Sequence, residues 1–410
     1  MLAVMIRMAD GSQRLIRDIR VLDEVATAEG RTGTVTHVMA RRHTGALIRI
    51  VAWGHSHLRC APDRPVLTRR GFVAAGDLTD DDWIALPRYI PARADSIEPG
   101  ALVNLMELRA PTRGARTVTH YGKTGAVDSV VEALPPRLPM TAALGRLLGL
   151  YAAEGNTTAN KVVWTYGAHE RDTLAPETVA LIKEALGAEG RAQPRPNGVV
   201  NVVLYGKAWR LLFERLVPGT TKRGDKHLSE HVTAGDAAFL AGVLGGWYDG
   251  DGYVRVRGNV ASRDGITVSA RLALDMHAIA VGLGRRPAIV GSEPSVNRHA
   301  ATRQYRWNVT LPSERKEESR EGYCRCGCGE RVTAGLRAVR NPLKQQYISG
   351  HHLRDYRSAQ DESYLWRKVR EVVEEPCEGG YVFDLEVEGD HSYIDEGIAV
   401  QDGAGGDDGR

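Results

Sequence analysis

The chain has little that would staple it covalently or anchor it in a bilayer. Five cysteines serve 410 residues, and three of them crowd into positions 324–328. That is not the pattern of a disulfide framework. No run of about 18 apolar residues occurs, so no spanning helix is expected. Residues 1–15 carry charged side chains and lack an apolar core of signal-peptide length. These absences together predict a cytoplasmic protein with no membrane partner. Charge of one sign is also missing: 54 Lys and Arg stand against 51 Asp and Glu, a net charge of +3. Bulk charge alone therefore does not point to nucleic acid. What is present is apolar substance, 42% of residues, enough for real cores. At roughly 150 residues per domain, the length predicts about three domains.

One pattern occurs twice. Residues 147–155 read Leu-Leu-Gly-Leu-Tyr-Ala-Ala-Glu-Gly, and residues 244–252 read Leu-Gly-Gly-Trp-Tyr-Asp-Gly-Asp-Gly. Each is an apolar stretch with small residues inside it, then an acid, then a glycine. A helix apolar on most sides is buried on most sides. Gly149, Gly245 and Gly246 lie within, each costing roughly 1 kcal/mol against alanine. Close approach of two packed helices would offset that cost. Gly155 and Gly252 are expected in the left-handed conformation that ends a helix. Two copies of one unit imply a pseudo-twofold axis, which brings Glu154 and Asp251 together. Both acids lie at the negative end of a helix dipole, an unfavourable place unless a cation is bound. Mg2+ uses few protein carboxylates, keeps waters and accepts phosphate oxygens. The pair thus points to metal-assisted phosphodiester hydrolysis. Asp249 is a weaker candidate, because the first copy has Ala152 at its place.

These segments resemble the two signature helices of the LAGLIDADG homing endonucleases. The resemblance covers about residues 136–312, including Thr267–Gly284, an amphipathic helix with a glycine stop. It implies that Glu154 and Asp251 hold the catalytic metal. It also implies a lysine shortly before the second signature helix that assists catalysis, and Lys226 matches by position. A lysine there could stabilise developing negative charge or order the attacking water. Arginines crowd the second repeat, among them Arg255, Arg257, Arg263, Arg271, Arg303 and Arg306. Such residues contact phosphates and position a duplex. Residues 253–257 alternate, so Arg255 and Arg257 share one strand face, a disposition that can read major-groove edges.

The two ends look like a third unit. Short β-like runs are Arg31–Met39, Gly45–Trp53 and Pro65–Thr68. Residues 58–78 resemble the middle block of intein (Hint) domains, and residues 381–400 resemble the terminal strands of that fold. Most splicing groups are absent. The first nucleophile is expected to be Cys or Ser, and the chain begins Met1-Leu-Ala. Ala61 and Arg64 stand where Thr and His are usual, and arginine is no general acid or base near neutral pH. The end reads Gln401-Asp402-Gly403 in place of His-Asn and a nucleophile. Asp384 and His391 remain as residual splicing residues, but assistants without a nucleophile cannot complete acyl transfer. Cys60 and Cys377 are expected to be small buried residues.

Between the second repeat and the last arm lies Tyr323-Cys-Arg-Cys-Gly-Cys-Gly-Glu330, with His351 and His352 downstream. Three thiolates and an imidazole make the tetrahedral set that Zn2+ prefers. Cys324, Cys326 and Cys328 are the expected ligands, with His351 or His352 as the fourth.

The expected fold class is α+β: two αββαββα-type LAGLIDADG repeats about a pseudo-twofold, inserted in a split all-β Hint domain. The expected segments are 1–95 (first Hint half), 96–135 (basic linker), 136–312 (endonuclease), 313–362 (zinc knuckle), 363–403 (second Hint half) and 404–410 (tail). The expected function is site-specific double-strand DNA cleavage with Mg2+ on Glu154 and Asp251, plus structural Zn2+. The partner is a long asymmetric duplex, the protein a monomer, and splicing is lost. Two rivals stay open: a DNA-binding or maturase-like protein without cleavage, and a still splicing-competent intein.

Overall fold

The structure is a computed structural model and describes residues 4–91, 94–103, 134–196, 198–257, 260–292, 305–312, 358–377 and 380–403. The chain forms two compact units, Pro91–Gly252 and Met1–Ile90 with Tyr253–Arg410.

In the unit Pro91–Gly252, helix α1 (Ala142–Glu154) starts where the Thr141 side chain accepts from Leu144 N. A polar cap of this kind satisfies one orphan N–H. Strands Gly155–Thr158 and Lys161–Tyr166 follow, then α2 (Leu174–Leu186), strands Gly190–Pro194 and Val200–Tyr205, and α3 (Lys207–Leu216). Helix α2 ends at Gly187 with φ 65°, a left-handed position that suits glycine. The four strands form one antiparallel sheet in the order first, second, fourth, third. Val162, Trp164 and Tyr166 alternate onto one face of their strand and are fully buried. Tyr151, Trp164 and Phe213 meet edge to face there, with ring centroids 4.9–5.9 Å apart. Helix α4 (Ala237–Gly250) then starts from Asp236, which accepts from Phe239 N.

Helices α1 and α4 touch backbone to backbone. A Cβ on Gly145 would lie 2.1 Å from Phe239 O, and one on Gly149 2.1 Å from Val243 O. On the opposing helix, a Cβ on Gly242 would lie 2.4 Å from Ala142 O, and one on Gly246 2.3 Å from Arg146 O. Two expectations need correction. Gly245 takes no part in the contact, since the nearest atom to its would-be Cβ is Arg146 Nη1 at 3.7 Å. Gly155 and Gly252 are not left-handed. Gly155 is extended, with φ −88°, and each opens a strand. Glycine is needed there because a Cβ would strike the preceding turn: Tyr151 Cδ2 at 2.1 Å for Gly155, and Tyr248 O at 2.1 Å for Gly252.

In the other unit, strands Gly252–Arg257 and Val260–Thr267, helix α5 (Ala270–Gly282), and strands Ala288–Ser292 and Arg306–Pro312 repeat the plan. The strand order is again first, second, fourth, third. The α-β-β-α-β-β order therefore occurs twice, with the closing helix described only in the first copy. Ser269 caps α5, and Gly284 stops it at φ 76°. Helix α5 packs against strands Gln13–Leu15 and Trp83–Pro87, which groups this copy with the chain ends. The repeats end near 136 and 312, whereas the compact units divide at 90 and 252 because packing follows these contacts.

The two chain ends build two sheets, and the larger one mixes strands from both. Its order is Gln13–Leu15, Met5–Arg7, Ser392–Asp395, Ile398–Gln401, Pro65–Thr68, Trp83–Pro87, Tyr364–Pro376, Ala46–Ala52, His55–Cys60. Strand Tyr381–Val387 runs antiparallel to Thr32–Arg42. Ile6, Ile50, Leu58, Val66, Ile84, Leu385 and Val400 fill the shared core. Three strands stand where the sequence placed them, Pro65–Thr68 to the residue.

The helix contact makes a paired prediction. Gly149→Ala should cost about 1–3 kcal/mol, because a packed backbone must move. Gly245→Ala has room and should be neutral or stabilising by up to about 1 kcal/mol. Urea denaturation of both variants measures this; equal effects would contradict the packing described.

Candidate functional site

The helix contact carries the carboxylates with it. Gly250 precedes Asp251, and a Cβ there would lie 2.5 Å from Ala153 Cβ and 3.3 Å from Glu154 Cγ. The ends of α1 and α4 are thus in contact at the acids. Burial, then the charges of Asp251 and Glu170, push the Glu154 carboxyl up to about 7. Burial likewise pushes Asp251 up to about 6, with Glu170 adding to the shift and Lys226 opposing it. The sequence reading missed Glu170, because nothing in its local pattern marks it.

Lys226 joins the two acids and is only 3% exposed. Its Nζ donates to Tyr151 O at 2.7 Å and Gly155 O at 2.8 Å. One carbonyl is in the last turn of α1 and the other is on the residue just past its end, on either side of Glu154. The ammonium also lies 5.0 Å from the Tyr151 ring centroid. A cation is favourable at a helix C-terminus. Burial brings the lysine down to about 8, against the pull of Asp251 and Glu154. The structure thus brings together Glu154, Asp251 and Lys226.

Asp249 is committed elsewhere. Arg146 Nη1 binds it at 2.7 Å, while Arg146 Nε and Nη2 bind Glu177. This triad ties α1 to α2 and α4.

The predicted DNA-contact arginines are in the other unit. Arg255 pairs with Asp264, whose carboxylate is fully buried and also accepts from Thr310. A cross-strand partner of this kind is invisible in a single strand's sequence. Arg263 and Arg306 are exposed, and Arg271 is half-buried. Arg303 and the Arg257 side chain lie outside the described residues, as do Cys324, Cys326, Cys328, His351 and His352.

Among the chain ends, Arg64 occupies the centre. It is 9% exposed and donates to Asp384 Oδ1 at 2.5 Å, Tyr393 OH at 2.8 Å and Phe383 O at 3.0 Å. Asp384 Oδ1 also accepts from Gly403 N at 3.2 Å. His391 Nδ1 lies 3.3 Å from Asp402 Oδ2, and Asp402 also accepts from Val387 N. Cys60 is buried, with its thiol pushed up to about 12 by burial. Cys377 is half-buried, less enclosed than the sequence led us to expect.

Among the described residues, no group of three or more His, Cys, Asp or Glu side chains is arranged for a metal. Two crowded carboxylates nevertheless fit Mg2+, which draws its remaining ligands from water and phosphate. Both are hard oxygen donors, and both are raised by burial, which a divalent cation would relieve.

No protein-family model matches the chain. It is 24% identical over 430 residues to an ATP-dependent DNA helicase Hel308 of Thermococcus kodakarensis, covering 93% of this chain and 34% of the helicase. It is 34% identical over 84 residues to a probable translation initiation factor IF-2 of Pyrococcus abyssi, covering 19% of this chain and 8% of the factor. It is 20% identical to the DNA-directed RNA polymerase subunit Rpo1C of Methanocaldococcus jannaschii, covering 85% of this chain and 45% of the subunit. The chain thus spans less than half the length of each. Among solved structures, the homing endonuclease I-DmoI with DNA and Ca aligns at TM-score 0.30 and 16% identity, over 43% of this chain and 85% of that one. The N-terminal LAGLIDADG domain of DUF199/WhiA aligns at TM-score 0.29 and 9% identity, over 42% and 77%. No described helix is long and apolar enough to cross a membrane.

The raised carboxyls set a pH dependence. Folded values near 7 and 6 exceed the ordinary 4.5 and 3.8, so the folded protein holds protons that the unfolded chain has released. Stability of the metal-free protein should therefore fall as pH rises from about 4 to 7. Asp251→Asn removes one charge and should stabilise the metal-free protein at pH 8 by about 1–3 kcal/mol. Denaturation of both proteins at pH 5 and pH 8 tests this; a wild type as stable at pH 8 as at pH 5, or a variant less stable than the wild type at pH 8, would contradict it.

Proposed function

We propose that this chain is a DNA endonuclease of the LAGLIDADG type, carried in an intein-like frame. One observation carries the reading: two glycine-packed helices of one chain end in adjacent, half-buried carboxylates, and each opens directly into a four-stranded sheet of the same order. Both carboxyls are raised above their ordinary values, the kind of perturbation that clusters at functional sites.

Glu154 and Asp251 would hold Mg2+. The bound metal would supply Lewis acidity and a water of lowered pKa for phosphodiester hydrolysis. The residues of the chain do the rest. Lys226 fixes the last turn of α1 and so orients Glu154. Its positive charge beside both acids favours their ionised forms and the negative charge that develops on a phosphate. Arg263 and Arg306 are the exposed members of the predicted DNA-contact set, while Arg255 acts through Asp264 as a sheet brace. Two unequal copies in one chain suit an asymmetric duplex and a monomer.

The intein-like frame rests on two supports. Strands from the two chain ends alternate in one sheet. The relatives also share no activity in their names, although each is matched over a minor part of its length, as a portable insert would be. Splicing lacks its chemistry here. Arg64 stands in the place of the middle-block base and locks Asp384, and Asp402 replaces the terminal asparagine. The cysteine cluster at 324–328 with His351 or His352 remains a proposed Zn2+ site.

With a plasmid library as substrate and Mg2+ present, the wild type should cut. Asp251→Asn and Glu154→Gln should lose cleavage by about 100-fold or more while keeping DNA affinity within about threefold, since an amide keeps shape and loses charge. Cutting by either variant would place the active site elsewhere. Affinity without cutting by the wild type would favour a DNA-binding protein that keeps the fold alone. Placed between two reporter domains, the chain should yield no ligated reporter on a gel; ligation would show that the frame still splices.

A further inference from the structure

The sheet of the Pro91–Gly252 unit has one covered face and one open face. Val162, Trp164 and Tyr166 turn to the helices, where Trp164 meets Tyr151 of α1 and Phe213 of α3. Side chains alternate along a strand, so Lys161 and Thr165 point the other way. The register extends that open face across the sheet. Thr165 stands opposite Asn201, and Asn201 opposite Gln193. Lys161 is paired with Tyr205, and Arg191 with Val203. These strands place no acid on the open face, which carries Lys161, Arg191 and, just past the strand end, Arg195. Strands about 4.8 Å apart make the row from Thr165 to Gln193 about 10 Å long. That is close to three base steps of about 3.4 Å and fits a major groove about 12 Å wide.

Two amides in this row have their hydrogen-bond sense fixed by neighbours. In the orientation that satisfies both groups, the Asn201 side-chain oxygen accepts from Arg195 Nε at 3.3 Å and Nη2 at 3.2 Å. Its NH2, beside a guanidinium, is left to donate. Gln193 Nε2 donates to Tyr205 OH at 2.9 Å, which leaves the Gln193 oxygen to accept. An unheld amide offers a donor and an acceptor together and so suits adenine. Here one position offers donors, and its cross-strand neighbour offers an acceptor.

We infer that this face reads a guanine at Asn201 and Arg195 and, about one to two base steps away, the amino group of an adenine or cytosine at Gln193. In the major groove guanine presents two acceptors, O6 and N7, whereas adenine and cytosine each present an exocyclic amine. Tyr205 is a positioning residue, since it sets which half of the Gln193 amide meets the base. Arg195 does the same for Asn201. This specificity presupposes the DNA reading proposed above, names the sequence class of its target, and does not require cleavage.

Selection of bound sequences from a randomised duplex pool tests this with the full chain, in EDTA so that nothing is cut. The wild type should enrich a guanine with an adenine or cytosine about one to two steps away. Asn201→Asp replaces the donor by an acceptor and should lower the preference for guanine about tenfold or more. Tyr205→Phe should relax the adenine-or-cytosine position about threefold or more and leave the guanine. A merely structural role would not confine its effect to one base pair. Both variants keep side-chain shape at an open surface, and an unchanged urea midpoint shows that the fold survives. The same enriched site in the wild type and both variants overturns the specificity, as does duplex affinity without any enriched sequence. No duplex affinity at all overturns the DNA reading and this specificity with it.

Discussion

The backbone contact between α1 and α4 is the constraint on which the site depends. Gly145, Gly149, Gly242 and Gly246 let each helix rest on the carbonyls of the other. A side chain at any of these places would separate the helix ends and the acids with them. The contact therefore holds two like charges together against their repulsion. Neither can move away without unpacking the helices, so burial and repulsion appear as raised carboxyl values rather than as displacement. The glycines after the acids extend the constraint: Gly155 and Gly252 turn the chain straight into a strand, with no loop to absorb a shift.

The backbone is nearly symmetric, but the charges are not. Lys226 braces the end of α1 alone. Asp249 has no counterpart in the first copy, and Arg146 holds it together with Glu177. The second acid thus approaches the pair from a helix clamped by an ion triad, the first from a helix capped by a lysine. The two carboxyls accordingly differ in burial and in their electrostatic neighbours.

Much of this was legible in the sequence, and the failures have physical causes. Glu154 and Asp251 stand out because a repeated apolar helix ending in an acid is a pattern along the chain, whereas Lys226 is marked only by the family resemblance; the structure places all three together. Gly145 and Gly242 lie outside the two repeated nonamers. Their four-residue spacing from Gly149 and Gly246 puts each pair on one helix face, and that was the available signal. Gly155 and Gly252 were assigned to the wrong conformation because a helix-ending glycine usually turns left-handed; here steric exclusion by Tyr151 and Tyr248 set the residue type. Arg255 looked like a DNA contact because its partner Asp264 lies on the next strand. Glu170 and the Arg64 cluster depend on tertiary neighbours that no local pattern encodes.

The interleaved sheet also dictates the order of assembly. Ile6 pairs with Asp395, and Val66 with Val400, so one edge of each of these strands, whose other neighbours are local in sequence, is filled only after residues near 400 exist. Closing a loop of that length is entropically slow. The Pro91–Gly252 unit needs no such partners and can fold while synthesis continues. During that interval the first strands have unpaired edges, which invite association with other chains. Biogenesis of this protein is thus a race between completing the last strands and aggregation of the first.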